Sequence, residues 1–454
     1  MFKKMPSMLT ACMAGLLATS AVSAEVVSIP MNAENEDKWE FADATYKFET
    51  YLGQEALVLE KGLVLAKGTE GFVNGTVEFD IIYERAYDPE IEKGFGGIAF
   101  RAHTLTEYQV VHSRDNNFGT TYGLHYFPIY DGQNAVQLYY GPGHNPKVMN
   151  APYDQWVHIK LVVSEDQGEV YVDDMTTPIL FINNIRDTKA GRIGIYGDYG
   201  LPIPLAPVRV SNFQYEIADE PPVLVGTPEE VEYANDPNLV QNWLITQSFQ
   251  APDAAAPELT EAVREGLEWT VLDSDYVGIA NISRIAHWSP TTNAIYARVN
   301  INSETAQTKK FMFGFSDTAS LYLNGKLIVD MNDEFQKRDY RFLGTMGFFD
   351  SVYLPLREGG NELWILVTEK FAGWGVKGRF ADLEGIEITT ATESAVNFDA
   401  GTSSTGGDCS ASFTPDTGRL AIPCVTIPGD ATEYEANLSL DNNSNFIVDE
   451  VNPK

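Results

Sequence analysis

Two neighbouring segments decide the fold class: Trp156-Val157-His158-Ile159-Lys160-Leu161-Val162-Val163 and, after a turn at Gly168, Glu169-Val170-Tyr171-Val172. Apolar and polar residues alternate along the first, and a period of two places successive side chains on opposite faces of a strand. Two such segments joined by a turn with glycine predict a β-hairpin. The same pattern recurs through residues 56–217 without a helical period, which favours an antiparallel sandwich or barrel.

Alternating segments in both halves of the chain predict an all-β protein with two antiparallel β-sandwich domains in tandem. In the first half we predict strands at residues 56–65, 76–82, 97–102, 108–114, 136–140, 156–163, 169–172 and 208–215. In the second half we predict one helix at 257–268 and strands at 294–301, 309–314, 320–323, 326–330, 351–356 and 361–367. Asn324-Gly325 lies between two of these strands, and this dipeptide favours a tight hairpin turn with positive φ at both residues.

Residues 1–24 have the features of a signal peptide: Lys3 and Lys4, an apolar stretch, and the small residues Val22-Ser23-Ala24. The alternative is lipidation at Cys12 within Leu9-Thr10-Ala11-Cys12, although little apolar sequence precedes it. We therefore expect a protein that is secreted, periplasmic or on the cell surface of a bacterium. The remaining 454 − 24 = 430 residues are enough for two or three domains.

Two stretches of aperiodic sequence predict linkers, at the proline-rich, acidic residues 218–239 and the Thr/Ser/Gly-rich residues 391–407. They divide the chain into domains at 25–217 and 240–390 and a small C-terminal β unit at 408–454. Cys409 and Cys424 are in this last unit. A hairpin in which Phe413 lies opposite Leu420 places the two cysteines opposite each other, which predicts a disulfide. Two buried free thiols are the alternative.

The chain has 31 Lys+Arg and 64 Asp+Glu, a formal net charge of −33. Such an excess of acid disfavours nucleic acids and anionic membranes as partners, because both repel a negative surface. No stretch is apolar enough for membrane insertion. No cofactor motif is present, and Asp317, Asp330 and Asp333 lack the ligand spacing of a known calcium loop, so we predict no metal site. Calcium bound by these aspartates is the alternative. The sequence gives no signal for the oligomeric state.

Two regions of the chain resemble known families in strand order and in key residues. The hairpin at 156–174, Gly191-Arg192-Ile193-Gly194-Ile195-Tyr196 and a closing strand at 209–213 resemble the concanavalin A-like lectin/glucanase sandwich of the laminin-G-like type, over residues 25–217. Gly314-Phe315-Ser316-Asp317, Asn324-Gly325 and Gly359-Gly360-Asn361 resemble the galactose-binding-like jelly roll of β-galactosidase-type enzymes, over about 240–390.

These resemblances imply a carbohydrate-binding protein that recognises a polysaccharide or glycoconjugate. Both folds also host enzymes and adhesion modules, so a glycan-degrading hydrolase and a surface adhesion or structural protein are the alternatives. Concanavalin A-like glycoside hydrolases carry a Glu-x-Asp-x-(x)-Glu strand. Here Glu78 and Asp80 match the first two carboxylates of this motif, but the next glutamate, Glu84, comes one residue too late. It lies roughly 20 Å of strand from Glu78, whereas a glycosidase pair needs about 5–10 Å.

We therefore interpret residues 76–82 as an ordinary strand with Val77, Phe79 and Ile81 inward. For the hydrolase alternative, the candidate catalytic residues are Glu78, Asp80 and His112.

Cationic and aromatic residues cluster on neighbouring strands in this acidic chain. Alternation places them on one outward polar face, whose mixture of groups suits sugar hydroxyls and carboxylates. The alternative is a solvated outer face. The candidate ligand-binding residues on this face are Arg101, Tyr108, His112, Arg114 and His125. In the second domain we expect Trp364 in the core and Trp374, between two glycines, displayed for stacking on a sugar.

Overall fold

The computed structural model describes residues 25–84, 94–197, 206–264, 266–392, 396, 412–414, 419–426, 433–440 and 446–453. Residues 1–24, including Cys12, and Cys409 lie outside the described residues. The chain divides into two compact units, residues 1–396 and 397–454. The described part is all-β, with tandem β-sandwiches in the first unit. No helix among the described residues has both the length and the apolar character needed to cross a membrane.

The first sandwich is one antiparallel sheet of 13 strands. They are β1 (Val26–Ile29), β2 (Trp39–Tyr51), β3 (Gln54–Ala66), β4 (Asn74–Ile82), β5 (Phe95–Ala102), β6 (Tyr108–Arg114), β7 (Leu124–Tyr130), β8 (Gln133–Asn134), β9 (Val157–Ser164), β10 (Gln167–Val172), β11 (Leu180–Ile182), β12 (Arg192–Gly197) and β13 (Val208–Ala218). Their order is β11-β10-β9-β4-β13-β3-β12-β5-β6-β7-β8, with β1 beside β13 and β2 beside β3. Short 3₁₀ turns occupy Ala33–Lys38, Asp115–Asn117 and Thr121–Gly123.

The sheet curls around one apolar core, because alternate side chains of its strands are apolar. Val77, Phe79 and Ile81 of β4 all point into this core, as predicted. Ile159 of β9 and Ile98 of β5 reach the same core from opposite arms of the sheet. The hairpin of β9 and β10 is also present, with Val163 opposite Gly168.

The second sandwich has two sheets, which contain β14 (Asn242–Thr246), β15 (Trp269–Asp273), β16 (Ala280–Asn281), β17 (Ala294–Ser303), β18 (Gln307–Ser316), β19 (Thr318–Leu323), β20 (Lys326–Asn332), β21 (Asp350–Leu356), β22 (Gly359–Thr368), β23 (Gly375–Phe380) and β24 (Ile386–Thr389). One sheet has the order β15-β14-β17-β22-β19-β20, with β24 beside β17, and the other has the order β16-β23-β18-β21. A 3₁₀ turn lies at Ile282–Arg284. Phe311, Phe313 and Ile365 belong to the core between the sheets.

Two predicted elements are wrong. Residues 136–140 form a turn rather than a strand, in which Leu138 donates to the Ala135 carbonyl at 3.1 Å. This apolar run is buried, and burial alone does not distinguish a strand from a turn. The predicted helix at 257–268 is reduced to α1 (Glu261–Arg264), because Leu259 instead donates to the carbonyl of Gly325 at 2.7 Å and holds the chain extended there.

A third apolar core joins the two sandwiches. Tyr108, Phe127 and Tyr196 from the first sandwich pack with Val277 and Met346 from the second. The residues that connect the two sandwiches contact both of them. For example, Asp236 in this connection accepts a hydrogen bond from Arg379 of the second sandwich at 2.7 Å. The sandwiches therefore share buried apolar surface as well as a chain connection.

The C-terminal unit is a four-stranded antiparallel sheet. Its strands are β25 (Ser412–Thr414), β26 (Arg419–Thr426), β27 (Glu433–Leu440) and β28 (Phe446–Pro453). Phe413 lies opposite Leu420, so the predicted register of the hairpin is confirmed. Cys424 lies on β26, and the disulfide with Cys409 stays a prediction.

The predicted turn at Asn324-Gly325 is confirmed, with φ of 52° and 85° at the two residues. We expect Gly325→Ala to lower the free energy of unfolding by about 1 kcal/mol, because a Cβ disfavours positive φ. Gly71→Ala is the control, since an added Cβ there meets no atom within 4 Å and φ lies outside the positive range. Urea unfolding of the full chain measures both variants. Equal losses in the two would contradict the turn geometry.

Candidate functional site

Arg101 is buried inside the first sandwich, so its predicted outward position is wrong. The residue has φ of 47°, and a register shift between Arg192 and Gly194 on the neighbouring strand marks an irregularity in the pairing there. The guanidinium donates to the carbonyls of Val73 at 2.7 Å and Asp187 at 2.8 Å, and also to the carbonyl of Glu165. Arg101 thus ties three segments together and has no exposed surface for a ligand.

The other side chains of the predicted polar face alternate along their strands as predicted, but most of them are buried rather than exposed. Tyr108, His112 and His125 are all buried, and only Arg114 at the strand end keeps part of its surface exposed. The face is covered by the turn at 135–139 and by the second sandwich, as the third core shows. Side chains without exposed surface cannot contact a polysaccharide, which corrects the ligand-binding prediction for Tyr108, His112 and His125.

The buried histidines lie among aromatic rings. The ring of His112 is centred 5.4 Å from Phe95 and 5.5 Å from Tyr196, and neither of its nitrogens hydrogen-bonds to a described residue. Burial moves the pKa of His112 well below its usual value, and it lowers the pKa of His125 to about 3. Both rings are therefore neutral at physiological pH, and His112 is unsuited to act as a cationic ligand or acid.

Glu78 and Asp80 point outward from β4, as predicted, but they hold a histidine. The Nδ1 of His158 lies 2.7 Å from Asp80, and its Nε2 lies 3.5 Å from Glu78. Hydrogen bonds to Asp80 and then Glu78 raise the pKa of His158 to about 9. These two carboxylates form an ionic cluster with His158 on a partly covered strand face, an arrangement that does not resemble a catalytic pair flanking a bound sugar.

Trp374 is fully buried in the core of the second sandwich, so its predicted display is wrong. The glycines on either side do not expose it: Cβ atoms added at Gly373 and Gly375 would both collide with Leu138 of the first sandwich. The contact between the sandwiches covers this segment. Trp364 is buried as predicted, and its Nε1 donates to Glu362 at 2.8 Å.

A cleft of about 310 Å³ opens where the two sandwiches meet, and we call it the inter-sandwich cleft. Its floor contains Leu138, Val277, Ile279 and Met346, which also belong to the third core. Other lining residues come from the first sandwich, the connecting segment and the second sandwich: Tyr140, Pro142, His144, Val231, Glu232, Tyr233, Gly347, Phe348, Phe349 and Lys377. The cleft exists because three separate parts of the chain converge.

Aromatic rings line much of this cleft. Tyr233 packs edge-on against Phe348 with ring centres 5.4 Å apart. Phe349 is 53% exposed and contacts Phe342 edge-on at 6.0 Å. Arg379 lies 4.7 Å from the centre of the Tyr233 ring and fixes it from behind through its ion pair with Asp236. The rings are thus held in place and partly open to solvent.

Lys377 of β23 lines the same cleft. Its neighbours on the strand, Val376 and Gly378, point away from it, and Val376 lies in the core. The Lys377 Nζ lies 4.2 Å from the centre of the Phe348 ring. Burial lowers the pKa of Lys377 to about 8, and the charges of Asp275 and Glu232 partly oppose this shift. The amine is therefore mostly protonated at neutral pH.

The sequence singles out no lining residue of this cleft as a candidate binding residue. One signal was available: Phe348-Phe349 is a pair of aromatic residues beside Gly347, outside any predicted strand. Nothing in the sequence, however, indicated that the residues near 140, 232, 348 and 377 meet. Among the residues that the structure describes, no group of three or more His, Cys, Asp or Glu side chains is arranged to hold a metal ion.

Comparison with known proteins finds no matching family model and no matching curated protein. Among solved structures, the carbohydrate-binding module CBM66 from Bacillus subtilis is 14% identical with a TM-score of 0.30, over 39% of this chain and 95% of its own. A Bacillus subtilis protein with a galectin-like fold is 12% identical with a TM-score of 0.30, over 43% and 96%. The exoplasmic/lumenal domain of VIP36, in its Ca²⁺- and Man-bound form, is 11% identical with a TM-score of 0.31, over 44% and 97%. Values of this size assign no function to the chain.

Arg101→Ala should lower the free energy of unfolding by about 3 kcal/mol or more, because it removes a buried guanidinium and leaves three partly buried carbonyl groups without a charged donor. Lys189→Ala, which removes an exposed cation nearby, should change it by less than about 0.5 kcal/mol. Denaturant titration of both variants provides the test. An Arg101→Ala protein as stable as the wild type would show that this guanidinium does not hold the loops.

The His158 cluster predicts a pH-dependent stability. The pKa of His158 in the folded protein is about 9, above the value of about 6.5 for a free histidine. The contribution of protonated His158 to the free energy of unfolding is therefore complete below about pH 6.5 and is lost as the pH rises through 9. The difference in unfolding free energy between wild type and His158→Gln should be largest near about pH 6 and should shrink by about pH 10. A difference that stays constant across this range would refute the cluster.

Proposed function

We propose that the protein binds carbohydrate, as part of a polysaccharide or glycoconjugate, in the inter-sandwich cleft. The observation that carries this proposal is the lining of aromatic rings around a solvent-open cleft. Tyr233 and Phe348 are half-buried, and Phe349 is more than half exposed. Aromatic rings offer flat apolar faces, and the C–H groups on one face of a pyranose ring match such a surface.

Polar groups beside these rings supply the directional contacts that a sugar needs. Glu232 accepts hydrogen bonds, Lys377 donates them, and the Tyr140 hydroxyl does both. A few convergent polar groups among aromatic residues are typical of ligand sites where two parts of a protein meet. The combination suits a ligand with apolar faces and hydroxyl edges better than it suits a purely apolar one.

This proposal keeps the carbohydrate partner expected from the sequence and changes the site. The polar face that includes Tyr108 and His112 is buried, so the proposed contacts come from the cleft instead. Binding is favoured over hydrolysis, because Glu232 is the one carboxylate among the described residues that line the cleft. Glycoside hydrolysis ordinarily needs two carboxyl groups flanking the scissile bond.

We also propose that the protein works outside the cytoplasm of a bacterium, where polysaccharides are accessible. The support is the charged, apolar and small-residue pattern of residues 1–24. Neither a bound calcium ion nor a cofactor is needed for the contacts proposed here.

Binding to a panel of polysaccharides, measured by affinity electrophoresis and then by calorimetry on the best ligand, tests the proposal. Phe349→Ala should weaken binding about tenfold, which corresponds to about 1.4 kcal/mol, because it removes one exposed stacking surface. The fold should be unaffected, since more than half of the side chain is already in water.

Phe335→Ala is the matched control, because Phe335 is 51% exposed and does not line the cleft. It should bind as the wild type does. Equal affinity in the Phe349→Ala variant and the wild type would exclude the cleft as the binding site. Release of reducing sugar by the purified protein would favour the hydrolase alternative instead.

A further inference from the structure

The ammonium group of Lys377 has no anionic partner within the described part of the protein. The residue is 9% exposed, and no hydrogen bond or ion pair joins its Nζ to another described residue. Arg379, on the same face of β23, is in contrast paired with Asp236 at 2.7 Å. These two cations, two residues apart, therefore differ in pairing. Arg379 has an anionic partner, whereas Lys377, which lines the cleft, has none among the described residues.

The charges of two carboxylates, Asp275 and Glu232, act on Lys377. Asp275 pairs with Arg186 at 2.9 Å and accepts hydrogen bonds from the backbone N–H groups of Val277 and Ile279. Glu232 raises the pKa of the neighbouring Tyr233 hydroxyl and lies on the exposed side of the cleft. Both carboxylates influence Lys377 through space without contacting it.

A nearly buried charge without a counter-charge is unfavourable, and the contact with Phe348 compensates for only part of the lost hydration. Proteins ordinarily pair such groups or remove them. A charge kept unpaired at the edge of an open cleft is instead suited to pairing with an anion brought by a ligand.

From this arrangement we infer that the cleft selects an acidic sugar, whose carboxylate or sulfate group pairs with Lys377 while the aromatic rings contact the sugar ring. This inference rests on the proposed function and adds the chemical class of the ligand. The chain's net charge of −33 repels densely charged polyanions at long range. Selectivity for acid would therefore be local, through one ammonium group, and would not come from a general basic surface.

Matched pairs of oligosaccharides, which differ only in the acidic group, test the inference. One pair is oligogalacturonate and its methyl ester, and the other is a sulfated galactan oligosaccharide and its desulfated form. Calorimetry with the full chain should show at least one acidic member bound about tenfold or more tightly than its neutral partner. The pair that shows this preference distinguishes a carboxylate from a sulfate.

Lys377→Met retains the length of the side chain and removes its charge. It should abolish the preference for the acidic member. The neutral member should lose much less affinity than the acidic member, because it loses only one hydrogen bond from Lys377 while the stacking surfaces remain. Lys326→Met, at an exposed position away from the cleft, makes the same change in net charge and should leave the preference intact. The wild-type preference should also decrease with added salt, a measurement that does not depend on any variant.

Three outcomes would overturn the inference, and they differ in what they say about the proposed function. If neutral and acidic members bind equally and binding is weakened by Phe349→Ala, the cleft binds sugar without selecting acid. If the preference persists in Lys377→Met, another group recognises the anion. If no oligosaccharide or polysaccharide binds, the proposed function fails and the inference fails with it.

Discussion

The burial of one sheet face of the first sandwich against the second is the constraint on which the rest of the structure depends. Tyr108, Phe127 and Tyr196 would otherwise leave a large apolar area in water, and Val277 and Met346 cover it. At about 25 cal/mol per Å² of apolar surface, this contact is a substantial stabilising term. The inter-sandwich cleft lies where the contact ends, since residues of its floor belong to the same core.

Two arginines of the first sandwich have partners for their charge, and Lys377 of the second sandwich differs from them. Arg186 lies between the rings of Tyr139 and Tyr276, at 4.8 and 5.0 Å, and pairs with Asp275, so it links the sandwiches by both apolar and ionic contacts. All three guanidinium nitrogens of Arg101 likewise donate to backbone carbonyls. Lys377 differs because its ammonium group lies beside an aromatic ring and forms no hydrogen bond or ion pair with another described residue. An unpaired cation among satisfied ones is a stronger indication of a ligand than a cluster of exposed cations, because burial makes its lack of a partner costly.

The fold and the proposed function depend on different properties of the sequence. Alternation builds the two apolar cores and requires only that every second residue be apolar, which many sequences satisfy. The cleft requires particular rings and one particular lysine at the junction. Changes within either core would destabilise the protein, whereas changes at Phe349 would leave the fold intact, because that ring is more than half exposed.

The sequence by itself determined the fold class, most strands, the hairpin turn at Asn324-Gly325 and the inward direction of Phe79, because these depend on periodicity and turn chemistry over a few residues. It also determined that Tyr108 and His112 share a face. Only the tertiary structure decided that this face is covered, since Val277 and Met346, which cover it, lie more than a hundred residues away in the chain. The candidate site differs from the predicted one for the same reason. Alternation gives a side chain its direction, whereas its exposure depends on which distant residues pack above it.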